Sequence, residues 1–184
     1  MPADRRKKTM DELHRADVEQ FRAQPKLPLT VVLDNVRSEM NVGSILRTAD
    51  AFAIERVLLC GITPVPPKAE IHKSALGAEQ AVNWQYCSTA VEAVKSLVEQ
   101  GYIVCAVEQA HGSVELNRFV PDADHNRRYA VVLGHEVRGV DQQVVNLAHH
   151  CLEIPQHGTK HSLNVACAAA VVMWHFANRL TPCE

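Results

Sequence analysis

From Leu29 onward, short, largely apolar and β-rich segments alternate with stretches whose apolar residues fall three and four apart. The strand-like segments are Leu29–Leu33, Arg56–Cys60, Val82–Tyr86, Tyr102–Val107, Tyr129–Leu133 and Cys151–Ile154. Their length and β-rich content predict six strands. Between them, Val42, Ile45, Leu46, Ala49 and Phe52 mark a helix over Asn41–Ala53. Ala69–Leu76 reads as a short helix. Ser88 is placed to cap a helix to Gln100 that carries Val91, Val94, Leu97 and Val98 inward, and Gly101 stops it. Asp141 caps a helix to Ala148, and Ser162 opens a long one to Leu180. Strands without alternation, each followed by a helix, predict an α/β fold: a mostly parallel sheet covered on both faces. In such sheets ligands bind beyond the carboxyl ends of the strands, here after Leu33, Val107, Leu133 and Ile154.

The first 28 residues break this rhythm. They carry seven basic and five acidic side chains, so they are +2 within a chain of −2 overall. A short helix is expected within Asp11–Ala23, anchored by Leu13, Val18 and Phe21 and ended by Pro25 and Pro28. We therefore divide the chain into a basic arm, residues 1–28, and one domain, residues 29–184. Hydrophobic residues at 47% of 184 supply a core and exclude global disorder. No basic field covers the whole chain, and aromatics at 5% exclude a broad base-stacking platform. The longest apolar run, Val165–Trp174, is too short to span a membrane, and the charged N-terminus has no apolar signal region. A cytoplasmic protein is expected. Cys60, Cys87, Cys105, Cys151, Cys167 and Cys183 form no CxxC pair and suit small hydrophobes in a reducing compartment.

Three polar segments at strand ends carry the candidate chemistry. In the first, Asp34 to Asn41-Val42-Gly43, a loop leaves a strand and opens a helix whose free N–H groups suit an anion. Arg47 lies on that helix, where an (i, i+3) pair with Asp50 is the simple alternative to a functional role. The second runs Leu133-Gly134-His135-Glu136-Val137-Arg138-Gly139-Val140-Asp141. It has the glycine spacing of a phosphate loop without the required Lys and Ser/Thr, and no GxGxxG occurs anywhere. Glu136 is placed to cap the turn, or to meet a cation or a ligand donor. The third is Ile154-Pro155, a loop with Gly158, and Ser162-Leu163-Asn164. His157 and His161 lack a third ligand nearby, and Ser162 lacks the GxSxG elbow, so neither zinc nor a hydrolase nucleophile is indicated.

Taken in order, the three segments resemble the TrmH/SpoU-type RNA 2′-O-ribose methyltransferases of the SPOUT superfamily. Asn41-Val42-Gly43 with Arg47 matches the first motif of that family. Leu133-Gly134-His135-Glu136 with Gly139 matches the second, and Ile154-Pro155, Gly158 and Ser162-Leu163-Asn164 the third. Met40, Val137 and Val140 depart from it conservatively. The resemblance covers about Leu29 to Leu180. It implies a C-terminal trefoil knot at about residues 129–180 and a homodimer. It implies S-adenosylmethionine as cofactor, held by Gly134, Ile154 and Leu163, with Val107 and Leu133 lining the same cleft. Arg47 would activate the ribose 2′-OH, with Asn41, Glu136, Ser162 and Asn164 orienting it and the ribose. No metal is implied. The substrate would be tRNA or rRNA, contacted by the arm (Arg5, Arg6, Lys7, Lys8) and by Lys68, Lys73, Arg138 and Lys160. Two alternatives stand beside this reading. One is a non-catalytic knotted protein of RNA binding or assembly, suggested by the lack of a separate substrate domain. The other is a relative that methylates a base nitrogen.

Overall fold

The computed structural model describes residues 6–9, 12, 16–122, 127–160 and 162–180. Arg5, Asp11, Leu13, His161 and Cys183 therefore lie outside the described residues. A single sheet organises the domain. Its strands are β1 (Leu27–Asp34), β2 (Ile54–Cys60), β3 (Trp84–Cys87), β4 (Ile103–Val107), β5 (Val114–Glu115), β6 (Tyr129–Leu133) and β7 (His150–Glu153). The order is β3-β2-β1-β6-β4-β7-β5, and every pairing is parallel. The described residues thus hold seven strands, where the apolar pattern predicts six. The extra one, β5, is two residues at the sheet edge paired to Leu152 and Glu153; two residues are too few to register as a period.

The helices are α1 (Val18–Ala23), α2 (Glu39–Ala51), α3 (Ala69–Ala75), α4 (Ala78–Ala81), α5 (Ala90–Glu99), α6 (Gln142–Leu147) and α7 (Val165–Leu180). They cover both faces of the sheet. Along β1, Leu29, Val31 and Leu33 face one hydrophobic cluster with Ile45, Leu46, Ile71, Met173 and Phe176, contributed by α2, α3 and α7. Val32 between them faces a second cluster with Val94, Leu97 and Val144, from α5 and α6. Both faces of the strand are buried, which is why its sequence shows no polar alternation.

Most element boundaries shift by one or two residues from expectation, and three of the differences have a visible cause. Helix α5 is capped by Thr89, whose hydroxyl accepts from the Glu92 N–H at 3.1 Å, and not by Ser88, which donates to the Glu92 carboxylate. The third strand runs Trp84–Cys87 instead of Val82–Tyr86, because Ala78–Ala81 forms a separate turn of helix that holds Val82. Helix α7 begins at Val165, and Asn164 takes the capping role expected of Ser162. The Asn164 side-chain oxygen accepts from the N–H groups of Ala166 and Cys167 at 2.8 and 3.3 Å. The Asp141 cap on α6 is as expected, accepting from Gln143 N–H at 2.7 Å.

Gly43 has a packing reason. A Cβ there would lie 2.0 Å from Ser74 Oγ and 2.5 Å from the Ile71 carbonyl, so α2 and α3 approach as closely as they do only because the residue is glycine.

Candidate active site

Because all strands run in one direction, β1, β4, β6 and β7 end on the same edge of the sheet. Beyond those ends lies a cleft of about 300 Å³. Val107, Leu133, Gly134, Ile154 and Leu163, the five residues expected to hold the cofactor, all line it, together with Glu136 and Ser162. Asn41, Asn164 and Arg47 do not form its wall, but two of them are tied to it.

The segment after β6 folds back on itself. His135 and Gly139 exchange two backbone hydrogen bonds, at 3.0 and 2.8 Å. Inside that turn the His135 Nδ1 accepts from the N–H groups of Val137 and Arg138 at 3.0 and 3.3 Å. Gly139 holds φ +69°, a left-handed conformation that glycine adopts without strain. A Cβ on Gly134 would lie 2.1 Å from the Gly139 carbonyl carbon, so a larger residue would push the turn apart. From the end of β4, Glu108 Oε2 accepts from Val140 N–H at 2.9 Å and fills the space where a Gly139 Cβ would stand. The buried Asp34, at the end of β1, accepts from Asp141 N–H at 2.8 Å and from the Asn35 amide at 2.7 Å. The first polar segment begins at Asp34 without giving it a role, and no motif marks Glu108. The one signal available was their position immediately at strand ends.

Glu136 ties the first polar segment to the second. Its carboxylate accepts from Arg37 N–H at 3.1 Å, Ser38 N–H at 3.0 Å and the Asn41 amide at 3.2 Å. The Arg37 guanidinium stands 3.8 Å away. Burial raises the Glu136 pKa, yet the hydrogen bonds from Arg37, Ser38 and Asn41 together outweigh it and hold the carboxyl below its ordinary range. Asn41 then accepts at its own oxygen from the Asn164 amide at 3.1 Å. A continuous chain of hydrogen bonds thus runs from the turn after β6, through the start of α2, to the cap of α7.

Arg47 sits on α2, exposed, and enters no ion pair or hydrogen bond among the described residues. The Asp50 pair does not form; Asp50 has Lys26 as its charged neighbour, and burial raises its pKa. Ser162 is exposed on the cleft wall. Leu163, beside it, is 43% exposed, apolar surface that a ligand in the cleft would cover. No cluster of three or more potential metal ligands occurs among the described residues, and His157 and His161 cannot be compared because His161 lies outside them.

The chain resembles known proteins over most of its length. It is 28% identical over 171 residues to a 23S rRNA (guanosine-2′-O-)-methyltransferase of Vibrio parahaemolyticus, which covers 92% of this chain and 66% of that protein. It is 28% identical over 163 residues to a tRNA (guanosine(18)-2′-O)-methyltransferase of Thermus thermophilus, covering 89% and 81%. An AdoMet-bound rRNA methyltransferase structure from Sinorhizobium meliloti superimposes with a TM-score of 0.73 at 25% identity, covering 90% of this chain and 60% of that one. The chain spans between 62 and 66% of the length of the Vibrio relative and two staphylococcal relatives. The sequence pattern of the SpoU rRNA Methylase family matches residues 28–174, the seven strands but for the first residue of β1 and most of the helices that cover them, and the chain belongs to that family.

Proposed function

We propose that the protein is an S-adenosylmethionine-dependent RNA 2′-O-ribose methyltransferase acting on tRNA or rRNA. One observation carries the reading. The cleft beyond the strand ends is walled by the five residues expected to hold the cofactor, and the Glu136–Asn41–Asn164 chain runs beside it. The cleft fits the group. Its volume lies at the lower end of small-molecule sites, its apolar wall of Leu133, Ile154 and Leu163 suits an adenine, and Gly134 lines it beside them. When bound, the cofactor supplies a methyl group already activated on a sulfonium.

The protein has to bring the ribose hydroxyl into line and stabilise the charge that develops on its oxygen. Arg47 suits the second task. A guanidinium has no lone pair to offer as a base, but its donor fork can hold an adjacent phosphate and an incipient alkoxide. Among the described residues Arg47 has no protein partner, so its donors are free for RNA. Asn41 and Asn164 fix the start of α2 against the cap of α7, and thereby the position of Arg47 relative to the cleft. Glu136 orients Asn41. Ser162 lines the cleft, and its hydroxyl, which has no hydrogen-bond partner among the described residues, is left for the ribose.

Further parts of the reading rest on family membership. They are a trefoil knot within about residues 129–180, a homodimer, a domain over residues 29–184 with the arm contacting RNA, and a cytoplasmic location, where tRNA and rRNA are found. Val171 and Trp174 on α7, 41 and 54% exposed, favour the dimer, since such apolar surface is usually covered. No described helix is long and apolar enough to cross a membrane.

The test is incubation with labelled S-adenosylmethionine and unmodified tRNA and rRNA, followed by nucleoside mass spectrometry. A 2′-O-methyl nucleoside is expected. A base-methylated product would move the chain to the nitrogen-modifying alternative. Absence of cofactor binding in calorimetry would favour the non-catalytic RNA-binding protein.

A further inference from the structure

Away from the cleft, a cavity of about 450 Å³ opens between the loop after β2, α3 and the start of β3. Pro66, Pro67, Ile71, His72, Glu79 and Trp84 form most of its wall. A second recess, walled by Arg22 among others, shares Glu79, Gln80 and Trp84 with it. Pro66, Pro67, Ala69, Ile71 and Trp84 give the wall its apolar and aromatic part, and Lys68, His72, Gln80 and one largely buried acid, Glu79, its polar part. The Glu79 side chain is 9% exposed. One carboxylate oxygen meets the His72 Nδ1 at 2.5 Å. The other, Oε2, is the one buried side-chain polar atom without a hydrogen-bond partner among the described residues. Such an oxygen costs free energy until a donor reaches it. Trp84 is held beside it by its indole N–H, which donates to the Glu79 carbonyl at 3.1 Å.

We propose that this cavity binds a nucleobase of the RNA, guanine best of all, at a nucleotide flanking the one that is methylated. The inference rests on the RNA methyltransferase reading for its ligand, and on this cavity alone for its chemistry. Guanine presents adjacent N1–H and N2–H₂ donors with no acceptor between them, the edge a carboxylate accepts. Trp84 and the two prolines give the flat apolar surface on which a base stacks, and such stacking is worth about 1–3 kcal/mol per base. Uracil offers one N–H between two carbonyl oxygens, which Glu79 would repel.

The charges nearby select the same ligand. Lys68 and Arg22, both exposed, line the two cavities. A basic peptide would meet two like charges there, whereas the phosphates of a nucleotide would meet two partners. The cavity is also coupled to the first polar segment. The Lys68 ammonium lies 3.2 Å from Glu39 on the opening turn of α2, two residues before Asn41. An RNA strand seated in the cavity would therefore run past the start of α2 toward the cleft.

Trp84 supplies a direct readout. In a Trp174→Phe background it is the remaining tryptophan, and its fluorescence is followed during titration with GMP and with UMP. Quenching by GMP at millimolar concentration, absent or much weaker with UMP, is expected. Glu79→Gln should weaken the GMP response about tenfold, the loss of one hydrogen bond to a charged acceptor. Equal responses to the two nucleotides, or none to either, would overturn the proposal whatever the enzyme's activity. With an RNA substrate, Glu79→Gln should raise KM about tenfold and leave kcat within a factor of two, since Glu79 touches no cleft residue. A fall in kcat with unchanged KM would also sink it. If wild-type protein methylates no RNA but still distinguishes GMP from UMP, the enzymatic reading fails and the pocket stands.

Discussion

Asn41 and Asn164 lie 123 positions apart and share an amide–amide hydrogen bond of 3.1 Å. Each has a second duty. Asn41 donates to Glu136, and Asn164 caps α7 through its oxygen. Both amides are therefore fixed in orientation by partners at each end, and the three polar segments become one network.

Breaking that network should cost more than one bond. Asn41→Ala removes a donor from Glu136 and an acceptor from Asn164, and we expect about 1–2 kcal/mol of lost stability with a fall in methylation. Asn164→Ala should cost a similar amount by losing the cap as well. The double variant should lose less than the sum, with a coupling of about 0.5–1.5 kcal/mol in urea melts. Strict additivity would show that the two amides act independently.

Much of the sheet was legible in the chain. Leu29–Leu33 and Tyr129–Leu133 are buried on both faces, so an unbroken apolar run is what a central strand must look like. That Val107, Leu133, Gly134, Ile154 and Leu163 gather around one cleft was legible as well, because the motifs sit at or just beyond strand ends. What failed to show were relationships across the fold. Ser162 and Asn164 are both good caps, and the choice of Asn164 depends on Asn41 far away in sequence. Glu108 is an unremarkable acid after a strand until Val140 N–H comes to it from the turn after β6. Glu79 and Trp84 belong to no motif, and their cavity exists only because α3, α4 and β3 meet.

Gly134→Ala should damage the cleft more than the fold at large. The added Cβ would meet the Gly139 carbonyl at about 2 Å, and overpacking of this kind costs about 1–3 kcal/mol. Relief requires the 134–139 turn to move, which displaces the wall around Leu133 and Ile154. Calorimetry should show cofactor affinity reduced at least tenfold. Normal affinity would mean that the turn does not shape the binding cleft.

Glu136 gives the site an acid limit. Its carboxyl is held below the ordinary 4.5 by hydrogen bonds that favour the charged form. The unfolded chain therefore takes up this proton first as pH falls. The stabilisation is complete above the unfolded value and is lost as pH falls from about 4.5 through the folded value. Urea unfolding between pH 3 and pH 6 should show a steep acid limb that Glu136→Gln flattens. An unchanged limb would assign the acid sensitivity to other carboxylates.

His175 acts in a higher window. It is buried on α7, and its Nε2 lies 2.9 Å from the Phe119 carbonyl, so the neutral ring donates there. Burial, then Arg179, lowers its pKa, while the Phe119 bond opposes them. Protonation therefore favours the unfolded chain, and stability should fall as pH drops below the ordinary 6.5 toward the folded value. Replacement by Gln, which keeps a donor for Phe119, should remove that slope between pH 7 and pH 5.5. A slope that survives the replacement would exclude His175 as its source.

Arg47 offers the cleanest separation of chemistry from structure. Its side chain is exposed and unpaired among the described residues, so Arg47→Ala should change stability by no more than about 0.5 kcal/mol. It does not line the cleft, so cofactor affinity should also hold. Turnover should nevertheless fall by about 10² or more, the scale seen when a donor to developing oxyanion charge is removed. Arg47→Lys tests what the guanidinium contributes beyond charge. An ammonium keeps the attraction to phosphate but cannot span phosphate and alkoxide with one planar fork. Lysine should therefore restore RNA affinity, read as KM, while leaving kcat well below wild type. Full restoration of kcat would reduce Arg47 to an electrostatic anchor, and near-normal turnover in the alanine variant would remove it from the reaction altogether.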